Sequence, residues 1–137
     1  MSLLILQGPH APVDAAAWVS TAAHAGHSTE LIRCVDVAGL IAGLAAARHA
    51  DTALVLLDAG ATTRAADQAQ CVALREALDR LPAPYIELHD DAAEELAPQL
   101  HPHHLPIATI ITTGDRLRAY ALSLAIAARR LGGSDGH

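Results

Sequence analysis

Ala53-Leu54-Val55-Leu56-Leu57-Asp58 is the stretch on which the fold turns. An unbroken apolar run of this length, closed by Asp58-Ala59-Gly60, reads as a strand buried on both faces, at the middle of a parallel sheet. Four shorter runs repeat the pattern on either side: Leu3–Leu6, Glu30–Cys34, Tyr85–Leu88 and Ile107–Ile111. Each closes on a polar or turn residue and each leads into a helical pattern. Glu30–Cys34 is the most polar and belongs nearer an edge.

The intervening segments carry helix punctuation. Pro12 and Asp14 open a helix through about Ala25, which Gly26 stops. Asp36 caps a second, with Leu40, Ile41, Leu44 and Ala47 as its apolar stripe. Gly39 and Gly43 each weaken that helix by about 1 kcal/mol relative to alanine, and close approach to the sheet is the expected compensation. Asp58–Asp67 reads as a loop into a third helix bearing Gln70, Leu74, Ala77, Leu78 and Leu81, ended by Pro82 and Pro84. A short turn follows around Ala92–Leu96, then a Pro98–Pro106 loop. Asp115 opens the last helix, with Leu117, Tyr120, Ala121, Leu124, Ala128 and Leu131 at helical spacing.

Strands alternating with helices through short connections require parallel pairing and right-handed crossovers. Five such strands give a flavodoxin-like α/β sheet in the order 2-1-3-4-5, with helices on both faces. One domain over residues 1–131 and a frayed tail over 132–137 account for the chain.

Composition narrows the partners. The net charge of −6, without a single lysine, excludes the basic patch that nucleic acid requires. No apolar run approaches the roughly 20 residues of a membrane span, and the start lacks a signal-peptide pattern. A cytoplasmic protein with two buried thiols, Cys34 and Cys71, is the expectation.

In an open parallel sheet the carboxyl ends of the strands line the ligand crevice. Those ends carry His10, Asp58, Arg64 and His89. With strands 1, 3 and 4 as neighbours, His10, Asp58 and His89 are expected to converge there. His10 after Gly8-Pro9 reads equally as a turn residue, and Asp58 equally as a loop cap.

Four segments in the same order resemble the type II 3-dehydroquinate dehydratases, or dehydroquinases. Leu4-Ile5-Leu6-Gln7-Gly8-Pro9-His10 is similar to the family's first strand and NGPN turn. Val55 to Thr63 resembles its strand followed by NPGAYTH, Ala73 to Leu78 its ALRDAL helix, and Pro84 to His89 its PVIEVH strand. The resemblance implies a lyase that removes water through an enolate, without a cofactor, from a small anionic ligand. It implies ligand contacts from Gly8, Pro9, Gly60, Ala61, Asp90, Asp91 and His89, and a homo-oligomer, trimeric or dodecameric. Glu76 stands at the family's subunit-contact aspartate.

The departures fall on chemistry. The family's lid brings an arginine and a tyrosine base, whereas Ala11 to Ala17 holds neither. The histidine of its THTS segment, read as the general acid, is Arg64 here, and an arginine keeps its proton across physiological pH. Its strand-end asparagine is Asp58, and its SN pair at the substrate carboxylate is Asp90-Asp91, which adds negative charge. The expectation is therefore a retained fold with ordinary dehydroquinate dehydration lost or slowed.

Two chemistries remain for the crevice. In one, Arg64 grips a carboxylate bidentately while His10 or His89 moves a proton. In the other, His10, Asp58, His89 and Asp90 form a nitrogen and oxygen site for zinc, iron or manganese. The histidines of the proline-rich loop, His101, His103 and His104, are a lesser metal candidate and read chiefly as solvated. A non-catalytic member that keeps only fold and assembly is the third reading.

Overall fold

A computed structural model describes residues 2–8, 28–47, 52–58, 66–89, 100, 102–112 and 116–132. Its strands are β1 (Ser2–Gln7), β2 (Ser28–Arg33), β3 (Thr52–Asp58), β4 (Tyr85–His89) and β5 (Ala108–Ile111). Its helices are α1 (Val37–Ala47), α2 (Gln68–Asp79) and α3 (Arg116–Gly132). The strands form one parallel sheet in the order β2-β1-β3-β4-β5, as the alternating pattern requires. The expected helix from Pro12 to Ala25 and the turn around Ala92–Leu96 lie outside the described residues. The last helix runs one residue into the expected tail, to Gly132.

Side chains alternate across a strand, so each apolar run feeds two cores. Leu4, Leu6, Val55, Leu57 and Tyr85 pack beneath α1 and α2 with Leu40, Leu44, Leu74 and Leu78. Leu3, Ile5, Leu54, Leu56, Ile86 and Leu88 pack beneath α3 with Ala119, Tyr120 and Ala127. This double burial is why β1 and β3 read as continuous apolar runs.

The caps act at the residues that signal them. Asp36 Oδ1 accepts from the Gly39 amide at 2.8 Å. Asp67, read as the end of a loop, closes a capping box: its Oδ1 accepts from Gln70 N at 2.8 Å, and Gln70 Oε1 accepts from Asp67 N at 3.1 Å. In α3 the buried face is Ala119, Tyr120, Ser123 and Ala127, and Ala121 is exposed. Tyr120 is thus buried as the spacing requires and Leu124 packs against the same core, whereas Ala121 faces outward; the side chains of Leu117, Ala128 and Leu131 lie outside the described residues. Cys34 is buried, but Cys71 is only half-buried, contrary to the expectation of two buried thiols.

The described part of the histidine loop is anchored through its backbone and the His104 ring, while the His103 side chain is exposed as expected. Asp79 Oδ1 accepts from the amides of His103 at 2.7 Å and His104 at 3.0 Å. Those amides, His104 first, hold the Asp79 carboxyl below its ordinary value, partly opposed by desolvation. The His104 ring bonds through Nδ1 to the Leu78 carbonyl at 3.0 Å and meets Tyr85 edge-on, with ring centres 5.1 Å apart. Tyr85 donates its hydroxyl proton to the His104 carbonyl at 2.7 Å. His104 is therefore committed to the fold. His101 lies outside the described residues.

Candidate functional site

The backbone is knit past the carboxyl ends of the strands. Gly8 N donates to the Asp58 carbonyl at 2.7 Å, Cys34 N to the Gln7 carbonyl at 2.6 Å, and Thr112 N to the His89 carbonyl at 3.1 Å. Strand order reverses between β1 and β3, because β1 has β2 on one side and β3 on the other. A crevice opens at such a switch point in doubly wound sheets. Gln7 and Asp58, the last residues of β1 and β3, are register partners there.

Two buried polar groups occupy these ends. In the first, Gln7 Nε2 donates to the Tyr120 hydroxyl at 2.8 Å, and Tyr120 donates to Asp58 Oδ2 at 2.7 Å. All three residues are at most 1% exposed. In the second, His89 Nε2 meets Glu87 Oε1 at 2.8 Å, with both side chains buried. His89 Nδ1 has no hydrogen-bond partner among the described residues, and neither has Thr112 Oγ1.

The pairs lie on opposite faces. Asp58 continues the Leu54, Leu56 row toward α3, where Tyr120 meets it. Glu87 and His89 continue the Tyr85 row toward α1 and α2. Of the residues expected to converge, Asp58 and His89 thus share the carboxyl end of the sheet but not one face. His10, Arg64, Pro9, Gly60, Ala61, Asp90 and Asp91 lie outside the described residues. Gly8 is buried at the end of β1. Glu76 is exposed on α2.

Chemically, the second pair is a histidine whose orientation a carboxylate fixes. With Nε2 held by Glu87, Nδ1 is the ring nitrogen that a ligand donor or acceptor could meet. For the metal alternative, His10 and Asp90 lie outside the described residues. Among those described, no three His, Cys, Asp or Glu side chains are grouped as a metal ion requires. No helix among the described residues is long and apolar enough to cross a membrane.

Reading strand ends alone overlooks Gln7, Glu87 and Tyr120. A glutamate inside the apolar run Tyr85-Ile86-Glu87-Leu88-His89, two residues before a histidine, is the signal that could have found the second pair. Tyr120 carries no such signal, since its ring serves the core at helical spacing.

Comparison with known proteins separates fold from sequence. No family sequence model matches the chain, and no curated protein sequence does. Solved structures match over nearly the whole chain. A type II dehydroquinase from Propionibacterium acnes superposes with a TM-score of 0.68 at 24% identity, covering 93% of this chain and 95% of its own. A 3-dehydroquinate dehydratase-like protein from Bifidobacterium longum gives 0.65 at 17% identity, covering 96% and 98%. A type II dehydroquinase from Butyrivibrio crossotus gives 0.65 at 17% identity, covering 92% and 96%.

Proposed function

We propose that this chain, which has the fold of the type II dehydroquinases, is a divergent lyase of that kind, acting on a small carboxylated or polyhydroxylated ligand. The observation that carries the reading is the Glu87–His89 pair at the carboxyl end of β4, with Nδ1 left for a ligand. A buried ring nitrogen without a partner is costly unless something outside the described residues, or a ligand, satisfies it. In an elimination His89 delivers the proton that leaves with the hydroxyl as water, and Glu87 keeps the ring oriented.

Turnover of 3-dehydroquinate itself is expected to be slow. Residues 11–17 offer no tyrosine base and no arginine, and Asp58, Asp90 and Asp91 bring negative charge toward an anionic acid. Arg64 remains the residue suited to grip a ligand carboxylate. The metal reading of His10, Asp58, His89 and Asp90 is the weaker one, because Asp58 Oδ2 and His89 Nε2 already have protein partners on opposite faces.

Self-association as a trimer or dodecamer, by resemblance, accompanies the function. The β5 edge supports it, with Leu105, Ile107 and Ile111 all exposed. Light scattering on the eluting peak of a sizing column reads the state directly, and a monomer would sink the assembly part. We place the protein in the cytoplasm because Cys34 and Cys71 are both unpaired thiols, as a reducing compartment keeps them.

The deciding assay follows enone absorbance from 3-dehydroquinate at high enzyme concentration, for the wild type and His89→Gln. Slow turnover that falls on the order of a hundredfold or more in the variant is expected, the usual share of a general acid. Turnover indifferent to His89→Gln would refute the role of His89. No turnover at all would favour the alternative, a non-catalytic member that keeps the fold for assembly or ligand binding.

A further inference from the structure

We infer that Tyr120, backed by Gln7, is a positioning residue that holds Asp58 as an ionised proton acceptor at the switch point between β1 and β3. The inference rests on the lyase reading above and supplies the base that the lid region, Ala11 to Ala17, does not.

The direction of the hydrogen bonds carries the argument. The Gln7 amide nitrogen can only donate, and its bond of 2.8 Å goes to the Tyr120 oxygen. The single phenolic proton of Tyr120 is then directed at Asp58 Oδ2, 2.7 Å away. Donors thus run one way along the chain and end on a carboxylate, an arrangement that favours its charged form. A structural partner for Tyr120 needs no charge, since a neutral asparagine oxygen accepts as well. A buried carboxylate at a ligand crevice is an expensive substitute for it unless the charge is used.

Position adds a second, independent support. Gln7 and Asp58 are register partners at the ends of the two strands that flank the switch point. His89 ends the adjacent strand with its side chain on the other face. A ligand over the carboxyl ends of β3 and β4 would therefore meet an acceptor from one side of the sheet and a donor from the other.

The step balances with these two groups. Asp58 takes the proton from the carbon beside the ligand ketone, and the C–H electron pair moves into the carbonyl as an enolate. Collapse of the enolate forms the conjugated C=C bond and breaks the neighbouring C–O bond, whose oxygen leaves as water with a proton from His89. The proton on Asp58 returns to His89 through solvent, which restores both groups.

The test uses the full chain as wild type, Asp58→Asn and Tyr120→Phe, each first shown by circular dichroism to be folded. In infrared difference spectra at neutral pH, wild type minus Asp58→Asn should show a carboxylate band for Asp58, and that band should move in Tyr120→Phe. A carboxylic-acid band in the wild type, or a carboxylate band indifferent to Tyr120→Phe, overturns the inference whatever the activity. The second arm incubates 3-dehydroquinate in heavy water and follows loss of its ketone-adjacent C–H signal by NMR, a partial reaction that needs the base alone. Exchange should fall on the order of a hundredfold in Asp58→Asn and about tenfold in Tyr120→Phe, as expected for loss of one hydrogen bond to a charged group. Unchanged exchange in Asp58→Asn overturns the inference. A wild type with the ionised, Tyr120-sensitive carboxylate but no exchange refutes instead the dehydroquinate reading on which the base depends.

Discussion

Gly39 and Gly43 sit one turn apart on α1, yet replacing each with alanine should change stability in opposite directions. Both replacements gain about 1 kcal/mol of helix propensity. At Gly39 the added Cβ meets Asp36 Oδ1 at 3.4 Å and Cys34 carbons at 3.6 Å, which is ordinary contact. Gly39→Ala should therefore stabilise the fold by nearly that full amount. At Gly43 the Cβ would lie 2.9 Å from Leu6 Cδ2. Leu6 is fully buried in the core beneath α1 and α2, so its methyl can give way only by pushing on packed neighbours. Overpacking of this kind costs about 1–3 kcal/mol. Taking about 2 kcal/mol as the clash leaves Gly43→Ala a net loss of about 1 kcal/mol, and a gap of about 2 kcal/mol between the variants. Urea unfolding followed by far-ultraviolet circular dichroism reads both. The control is Leu6→Ala, which removes the clashing methyls: on that background Gly43→Ala should turn stabilising. The reasoning is refuted if Gly43→Ala stabilises the parent as much as Gly39→Ala does.

Three further outcomes are expected of the same molecule. Glu87→Leu leaves a buried histidine nitrogen unsatisfied and should lower unfolding free energy by about 2 kcal/mol in chemical denaturation; a loss under about 1 kcal/mol would show that His89 finds another partner. Burial, then the nearby Asp36 charge, push the Cys34 thiol up. Iodoacetamide on the native protein at neutral pH should accordingly modify half-buried Cys71 well before Cys34 by peptide mass mapping, and equal labelling would contradict this. Because Asp79 lies below its ordinary value when folded, its contribution is present above the usual carboxylate range and is lost as pH falls through the folded value. The stability gap between wild type and Asp79→Asn should therefore close on acidification, and a gap that stays constant from neutral pH to the acid limb would remove Asp79 from the account.

Much of the architecture is legible in the chain because parallel strands buried on both faces announce themselves. Leu3–Leu6 and Ala53–Leu57 have no polar face to confuse the period, and Asp36 marks its helix start without ambiguity. The site is less legible, for a reason of geometry. Strand ends can be found from sequence, but which face a terminal side chain takes depends on parity against a core that only the assembled sheet defines. Asp58 shares parity with Leu56 and falls toward α3, whereas His89 shares parity with Glu87 and Tyr85 and falls away from it. Tyr120 was visible only as a core residue. Its ring does fill the core, and its hydroxyl does something that spacing cannot encode, reaching a partner 62 positions away in sequence.

The Asp79 clasp on the histidine loop also bears on the order in which the sheet opens. The edge strand β5 has four residues and ladders to β4 alone. The loop before it is tethered by groups that belong to the end of α2 and the start of β4, namely Asp79, the Leu78 carbonyl and the Tyr85 hydroxyl. These three tethers and the β4 ladder are the described bonds that hold the β5 edge, so β5 is expected to be released before the centre of the sheet. In native-state hydrogen exchange the amides of Thr109 to Ile111 should open with a lower free energy than those of Leu54 to Leu57, making the β5 edge a separate cooperative unit. Loosening the clasp with Asp79→Ala should lower that local opening energy while leaving the centre of the sheet almost as protected as before.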